Sequence, residues 1–263
     1  MSQKVLAASR RNKEKKAFLK ISLVLLGFFV FSVLVLIILF SLDSLKIKTI
    51  SVLGNESLPT GALEKKIGQF LNDKTFGLSL KNRIFYFPRK AIAAGLLADF
   101  PRVKSVEIEN DFPSRIEVRI EERSPVALVC RKENKQCLYL DEGGFIFDGA
   151  PYFSSGVFLK FFSENDDIFQ PGEFLCDGDI FKQIFFLQKR IQDFLPVEEI
   201  FLTRDNLAKF YTAEGFHFIL NIYGDFDEVY KNFSIFFEEF LKTKKLKDIE
   251  YVDLRFGNKI YYK

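Results

Sequence analysis

Residues Arg115–Glu121 read R-I-E-V-R-I-E. Ile116, Val118 and Ile120 alternate with Arg115, Glu117, Arg119 and Glu121, so a strand here has one dry face and one wet face. The stretch just before it, F-P-R-V-K-S-V-E-I, repeats the pattern, with Val106 and Ile108 opposed to Glu107 and Glu109. Asn110-Asp111-Phe112-Pro113 between the two is turn chemistry. Further upstream, Leu63, Ile67, Phe70 and Leu71 recur at helical spacing behind Thr60, a candidate N-cap. A second helix is expected from Pro88, carrying Ile92, Leu96 and Leu97. Before both, I-K-T-I-S-V-L-G-N places Ile50 and Val52 on one strand face and stops at Gly54-Asn55. The order is β-α-α-β-β over residues 46–123.

Ahead of this unit lies an apolar run from Ile21 to Leu42, without charge or proline. Its 22 residues span roughly 30 Å as a helix, the hydrocarbon thickness of a bilayer. No small-residue cleavage pattern follows, so the run reads as a permanent anchor. The arm before it, residues 1–20, carries seven Lys and Arg against Glu14 alone, a net of +6. The whole chain carries +3, which leaves −3 for everything after the arm. Basic flanks stay in the cytoplasm, so the body is expected outside it. A mildly acidic body without a basic, aromatic-interleaved stripe argues against nucleic-acid binding.

Residues 124–263 read as a second, strand-rich domain. Strand-like runs are expected at 126–131, 137–140, 145–147, 157–161, 200–203, 207–212, 216–222, 250–256 and 259–262. Two amphipathic helices interrupt them. One, over 179–194, turns Ile180, Ile184, Leu187 and Ile191 inward; the other, over 227–242, turns Val229, Phe233, Phe236, Phe237 and Phe240 inward. Asp177 or Asp179 can cap the first, and Asp225 or Asp227 the second. The fold class is α+β: an anchor, a β-α-α-β-β domain, then a mainly antiparallel sheet with two helices on one side. The 33 Phe residues, with no Trp, are expected to fill core positions.

Catalytic chemistry is not evident. The single histidine, His217, lies on a strand whose buried face belongs to Phe216, Phe218, Leu220 and Ile222, with no nucleophile at a recognisable spacing. The acidic pairs Asp166-Asp167, Glu198-Glu199 and Glu238-Glu239 point their members apart, and Gly143-Gly144 lacks the rest of a phosphate loop. No metal or other cofactor is expected. Cys130 and Cys137 flank R-K-E-N-K-Q, a hairpin loop that sets them opposite each other. Either a disulfide or two small buried side chains suits that geometry. Cys176 is then an odd, structural thiol.

Taken together, a basic arm, one anchor, I-x-x-I-x-V-x-G-N, two short helices, F-P-R-V-K-S-V-E-I and D-F-P-S-R-I-E-V-R-I-E-E-R-S-P-V-A resemble the bacterial cell-division proteins FtsQ and DivIB. Further on, L-Y-L-D-E-G-G-F-I-F-D and I-E-Y-V-D-L-R-F are similar to two segments of that family's second domain. The resemblance implies a POTRA domain at 46–123 and an FtsQ-type β domain at 124–263. It implies a non-enzymatic scaffold of the inner-membrane divisome at the septum. Its partners would be FtsB/DivIC-like and FtsL-like coiled-coil proteins and, indirectly, the septal peptidoglycan synthase. The chain stops at Lys263 after its last strand, which is expected at a sheet edge. Aromatic packing alone would account for that strand, but the resemblance makes it the partner-binding strand, with Phe256, Asn258, Lys259, Ile260, Tyr261 and Tyr262. A POTRA-bearing secretion or outer-membrane assembly factor is the first alternative, although barrel strands are too few. A membrane-anchored cell-wall hydrolase is the second, without a convergent catalytic set.

Overall fold

The computed structural model describes residues 18–35, 38, 43–72, 82–132, 136–153, 156–164, 169–192, 194–243, 249–257 and 259–263. Most of the basic arm, Asp166-Asp167 and the far end of the apolar run lie outside them. Within the run, helix α1 covers Phe18–Val35, and none of it is buried against the rest of the protein. Side chains such as Phe28, Phe29 and Leu34 are exposed, which in water would be costly and in a bilayer is the stable arrangement.

Next come β1 (Thr49–Leu53), α2 (Thr60–Asn72), α3 (Arg89–Asp99), β2 (Val103–Asp111) and β3 (Arg115–Glu122). They form a three-stranded sheet in the order β1-β3-β2. β1 runs parallel to β3, pairing Ile50 with Ile116 and Val52 with Val118. Ile116 and Val118 are completely buried and Ile120 nearly so, while Arg115 and Arg119 face water. Helix α2 buries Leu63, Ile67 and Leu71. In α3, Ile92 and Leu96 are buried and Leu97 is exposed. Leu97 follows Leu96 by one residue and so turns about 100° away from it. Gly54 ends β1 at a φ of +83°, and a Cβ there would collide with the carbonyl oxygen of Ile120. That close approach is why glycine stands in this turn.

The remaining strands are β4 (Ala127–Cys130), β5 (Cys137–Leu140), β6 (Ile146–Ala150), β7 (Leu159–Ser163), β8 (Val197–Leu202), β9 (Leu207–Thr212), β10 (His217–Asn221), β11 (Tyr251–Phe256) and β12 (Lys259–Tyr262). They make a nine-stranded sheet in the order β12-β11-β10-β9-β8-β7-β4-β5-β6. The pairs β4–β7, β7–β8 and β10–β11 are parallel and the rest antiparallel, so the sheet is mixed. Helices α4 (Gly178–Gln192) and α5 (Phe226–Thr243) share a hydrophobic core with one face of it. Register lines Phe161, Ile200, Phe210, Phe218, Val252 and Tyr262 in one row on that face. Phe161 meets Phe181 of α4 at 5.3 Å, and Phe218 meets Phe233 of α5 at 5.3 Å. Phe181 is fully buried, and Ile180 beside it packs half-buried on the same core with Ile184, Leu187 and Ile191. Of the alternative caps, Asp177 accepts from the amides of Asp179 and Ile180, and Asp225 from those of Asp227 and Glu228.

The chain divides into two compact units, one drawing on Met1–Leu53, Pro59–Ala93 and Glu107–Arg119, the other on Gly54–Leu58, Ala94–Val106 and Ile120–Lys263. Within the second unit, polar contacts surround Glu122 and Arg123. The Glu122 carboxylate accepts from the backbone amides of Glu56, Ser57 and Leu58. Arg123 pairs with the buried Asp141 and donates to the carbonyl of Pro101. Asp141 in turn accepts from the amides of Gly143 and Phe145. The D-E-G-G segment is thus a structural turn. Gly144 sits at a φ of +75°, with the Phe181 ring 2.6 Å from where a Cβ would be.

Candidate functional site: the β12 edge

The sheet has two ends. At the β6 end, Ile146 exchanges backbone bonds with the loop at Gly172 and Glu173, and Asp148 holds Arg102 at 2.8 Å. That edge is partly blocked. At the other end β12 is the last strand, and no described strand follows it.

The direction of the β12 backbone groups follows from its pairing. Tyr251 and Lys263 exchange both backbone bonds. In an antiparallel ladder such exchanging pairs alternate with non-bonded ones. Val252–Tyr262 is therefore a non-bonded pair, and Asp253–Tyr261 bonds again. The Tyr261 N–H and C=O point inward to β11, whereas the N–H and C=O of Ile260 point outward. The register shift in this pair falls on β11, between Asp253 and Phe256, so the alternation along β12 is unbroken.

The side chains of the expected site divide between two faces. Tyr262 lies on the helix side, 5.5 Å from Phe236 and 5.8 Å from Phe240 of α5. Ile260 is half-buried against the same core. Tyr261 and Phe256 lie on the opposite face, ring to ring at 5.3 Å, and both are about half exposed. Lys259 is exposed, and Asn258 lies outside the described residues. The turn is tied to α5 by Asn232, whose Nδ2 donates to the carbonyl of Gly257 at 2.6 Å.

Sequence reasoning passed over the charges beneath this edge. Asp253, opposite Tyr261, is buried, and its two carboxylate oxygens accept from Arg255 Nε at 2.8 Å and Nη2 at 2.6 Å. Burial alone would raise the Asp253 pKa, but the bonds and charge of Arg255 outweigh it and hold the carboxyl below its ordinary value. The Arg255 guanidinium also lies 5.2 Å from the Phe256 ring. In Y-V-D-L-R-F the two-residue spacing of Asp253 and Arg255 was the available signal, since i and i+2 share a strand face. At the strand end, Lys263 Nζ meets Glu250 at 2.9 Å. The edge is thus an aromatic strip backed by the Asp253–Arg255 ion pair, with the Ile260 backbone groups facing outward.

The other singled-out residues are elsewhere. Cys130 and Cys137 face each other in register and are bridged. Cys176 is a free thiol pushed up to about 11 by burial and then by Asp177. His217 is on the open face, stacked 4.9 Å from Tyr211, and burial followed by the charge of Lys209 holds its pKa below the ordinary value. Glu198 and Glu238 are exposed on their own elements. Among the described residues no cluster of His, Cys, Asp and Glu could hold a metal.

Residues 45–123 match the family model for the POTRA domain, FtsQ-type. With the apolar helix ahead of it, the chain fits an FtsQ/DivIB-like protein. No curated protein matches it. The FtsQ-type domain supports a divisome-related scaffold in general, of a non-enzymatic family, and the helix suggests a single-pass membrane anchor. The β12 edge lies outside the matched segment.

Proposed function

We propose that this FtsQ/DivIB-like chain is a bitopic scaffold of the septum. Its POTRA and β domains face outward, and it binds and positions FtsB/DivIC-like and FtsL-like coiled-coil partners. Through them it helps control septal peptidoglycan synthesis, with no bond made or broken by the chain itself. The observation that carries the reading is the β12 edge. There the Ile260 backbone points away from the sheet, beside Tyr261 and Phe256, while the β6 edge is occupied by Gly172–Glu173. Strand addition supplies affinity through main-chain bonds, and side chains alternating along the edge supply selectivity. The +6 arm supports the outward topology.

Purification of the full chain from detergent-solubilised native membranes tests the reading. Small bitopic coiled-coil proteins should co-purify. Recovery of outer-membrane barrel proteins instead would favour the secretion and assembly alternative. A periplasm-dependent reporter fused after Lys263 should be active, and the same reporter placed before residue 20 silent; the reverse pattern would overturn the topology.

A further inference from the structure

The open face of the nine-stranded sheet, opposite the helices, carries a second feature that the edge reading does not use. A groove of about 390 Å³ lies over β4, β7, β8 and β9. Its rings are Phe162, Phe201 and Tyr211, with Tyr152 and Phe153 from the segment after β6. Among the described residues three cations reach it, Arg131, Lys132 and Lys160, against one carboxylate, Glu199. Lys132 Nζ sits 3.8 Å above the Phe201 ring. Arg131 is held in place by the carbonyl of Phe169 at 3.3 Å. Lys160 stands opposite Glu199 in register, yet no ion pair joins the two.

We propose that this groove binds an acidic peptide segment of a partner protein, taking an aromatic side chain between its rings and the flanking Asp or Glu on its lysines. Five observations select that occupant. β7 and β8 are interior strands paired on both sides, so no strand can be added there and recognition must run through side chains. The groove has the volume of one small-ligand site, which suits a single anchoring side chain and not a helix. The excess of cations over carboxylate favours negative charge, and the ring surfaces favour a flat apolar group. Among the described residues the lining holds no Asn or Gln, the side chains that would bracket the hydroxyls of a sugar. Nor do the cations extend into a track for a nucleic acid, since the register row through Lys160 carries Glu199 on one side and ends at Asp148 on the other. This inference is independent of the β12 reading, because the two surfaces share no residue.

The test is fluorescence anisotropy of the full chain in detergent with a labelled Asp-Glu-Phe-Asp-Glu peptide. Binding should saturate and weaken with added salt. It should fall at least tenfold with Lys160→Glu and with Phe201→Ala, while thermal melts confirm that each variant is folded. The Ile260→Pro variant should bind this peptide as the natural chain does, which separates the groove from the edge. Peptides with Phe replaced by Ala, or with Lys for the acids, should not saturate. Absence of saturation, equal binding of the basic peptide, or unchanged affinity in folded Lys160→Glu would overturn the proposal. Saturation by glucuronic acid or by AMP in place of the peptide would overturn the assigned occupant.

Discussion

Proline substitution separates the two roles of the terminal strand. At Ile260, proline removes an N–H that points away from the sheet and leaves the β11–β12 ladder intact. At Tyr261 it removes an N–H that bonds inward to β11. A strand added by a partner would lose one hydrogen bond in the first case and leave its own carbonyl unsatisfied. The penalty is about 1–3 kcal/mol, or roughly 5- to 150-fold in Kd. Ile260→Pro should therefore weaken binding by that factor with little change in Tm. Tyr261→Pro should lower Tm, because the lost bond lies within the fold. The assay is titration of the full chain in detergent against its FtsB/DivIC-like partner, with thermal melts of each variant alongside. If folded Ile260→Pro binds as tightly as the natural chain, strand addition at β12 is refuted.

Three further outcomes are expected. Tyr262→Ala should destabilise the β domain by about 1–2 kcal/mol through loss of its contacts with Phe236 and Phe240, whereas Tyr261→Ala should affect partner binding more than unfolding; chemical denaturation of the two variants distinguishes them. Non-reducing peptide mapping of protein purified without reductant should recover Cys130 linked to Cys137, and removing the bridge should cost about 2 kcal/mol. The folded-state pKa of His217 lies below its ordinary 6.5, so on acidification the unfolded chain takes up this proton first. Its share of stability is complete above about pH 6.5 and falls as pH drops through the window below that value. Denaturation from pH 7.5 to 5 should show that loss in the natural chain and a flatter profile in His217→Gln.

The described elements of residues 46–123 were legible because each carries its own periodicity. R-I-E-V-R-I-E specifies both faces of β3, and Leu63, Ile67 and Leu71 specify the buried face of α2. What those patterns could not contain was partner choice: β3 sits between β1 and β2, and its pairing with β1 is parallel. The strands of the second domain were legible for the same reason, whereas the insertion of β7 between β4 and β8 was not. Alternation records which face a residue takes and is silent on which strand lies beside it.

The candidate sites follow the same division. The aromatic character of K-I-Y-Y could be read directly, whereas its position at the sheet edge is set by its pairing with β11. That Tyr261 and Tyr262 serve opposite faces depends on the register with β11, which places Tyr262 beside Val252 on the helix side. The open-face groove could not be read at all. It assembles Lys132, Lys160, Phe201 and Tyr211 from four separate strands and loops, and no local pattern joins them.

The most direct measurement is site-specific photo-crosslinking in living cells, with a photoreactive residue placed in turn at Ile260 and Tyr261 on the β12 edge and at Asp148 on the partly blocked β6 edge. The account predicts a crosslink from the β12 positions to a small bitopic coiled-coil protein, and none to it from Asp148. Crosslinking of that protein from Asp148 with none from β12, or capture of an outer-membrane barrel protein at β12, would contradict it.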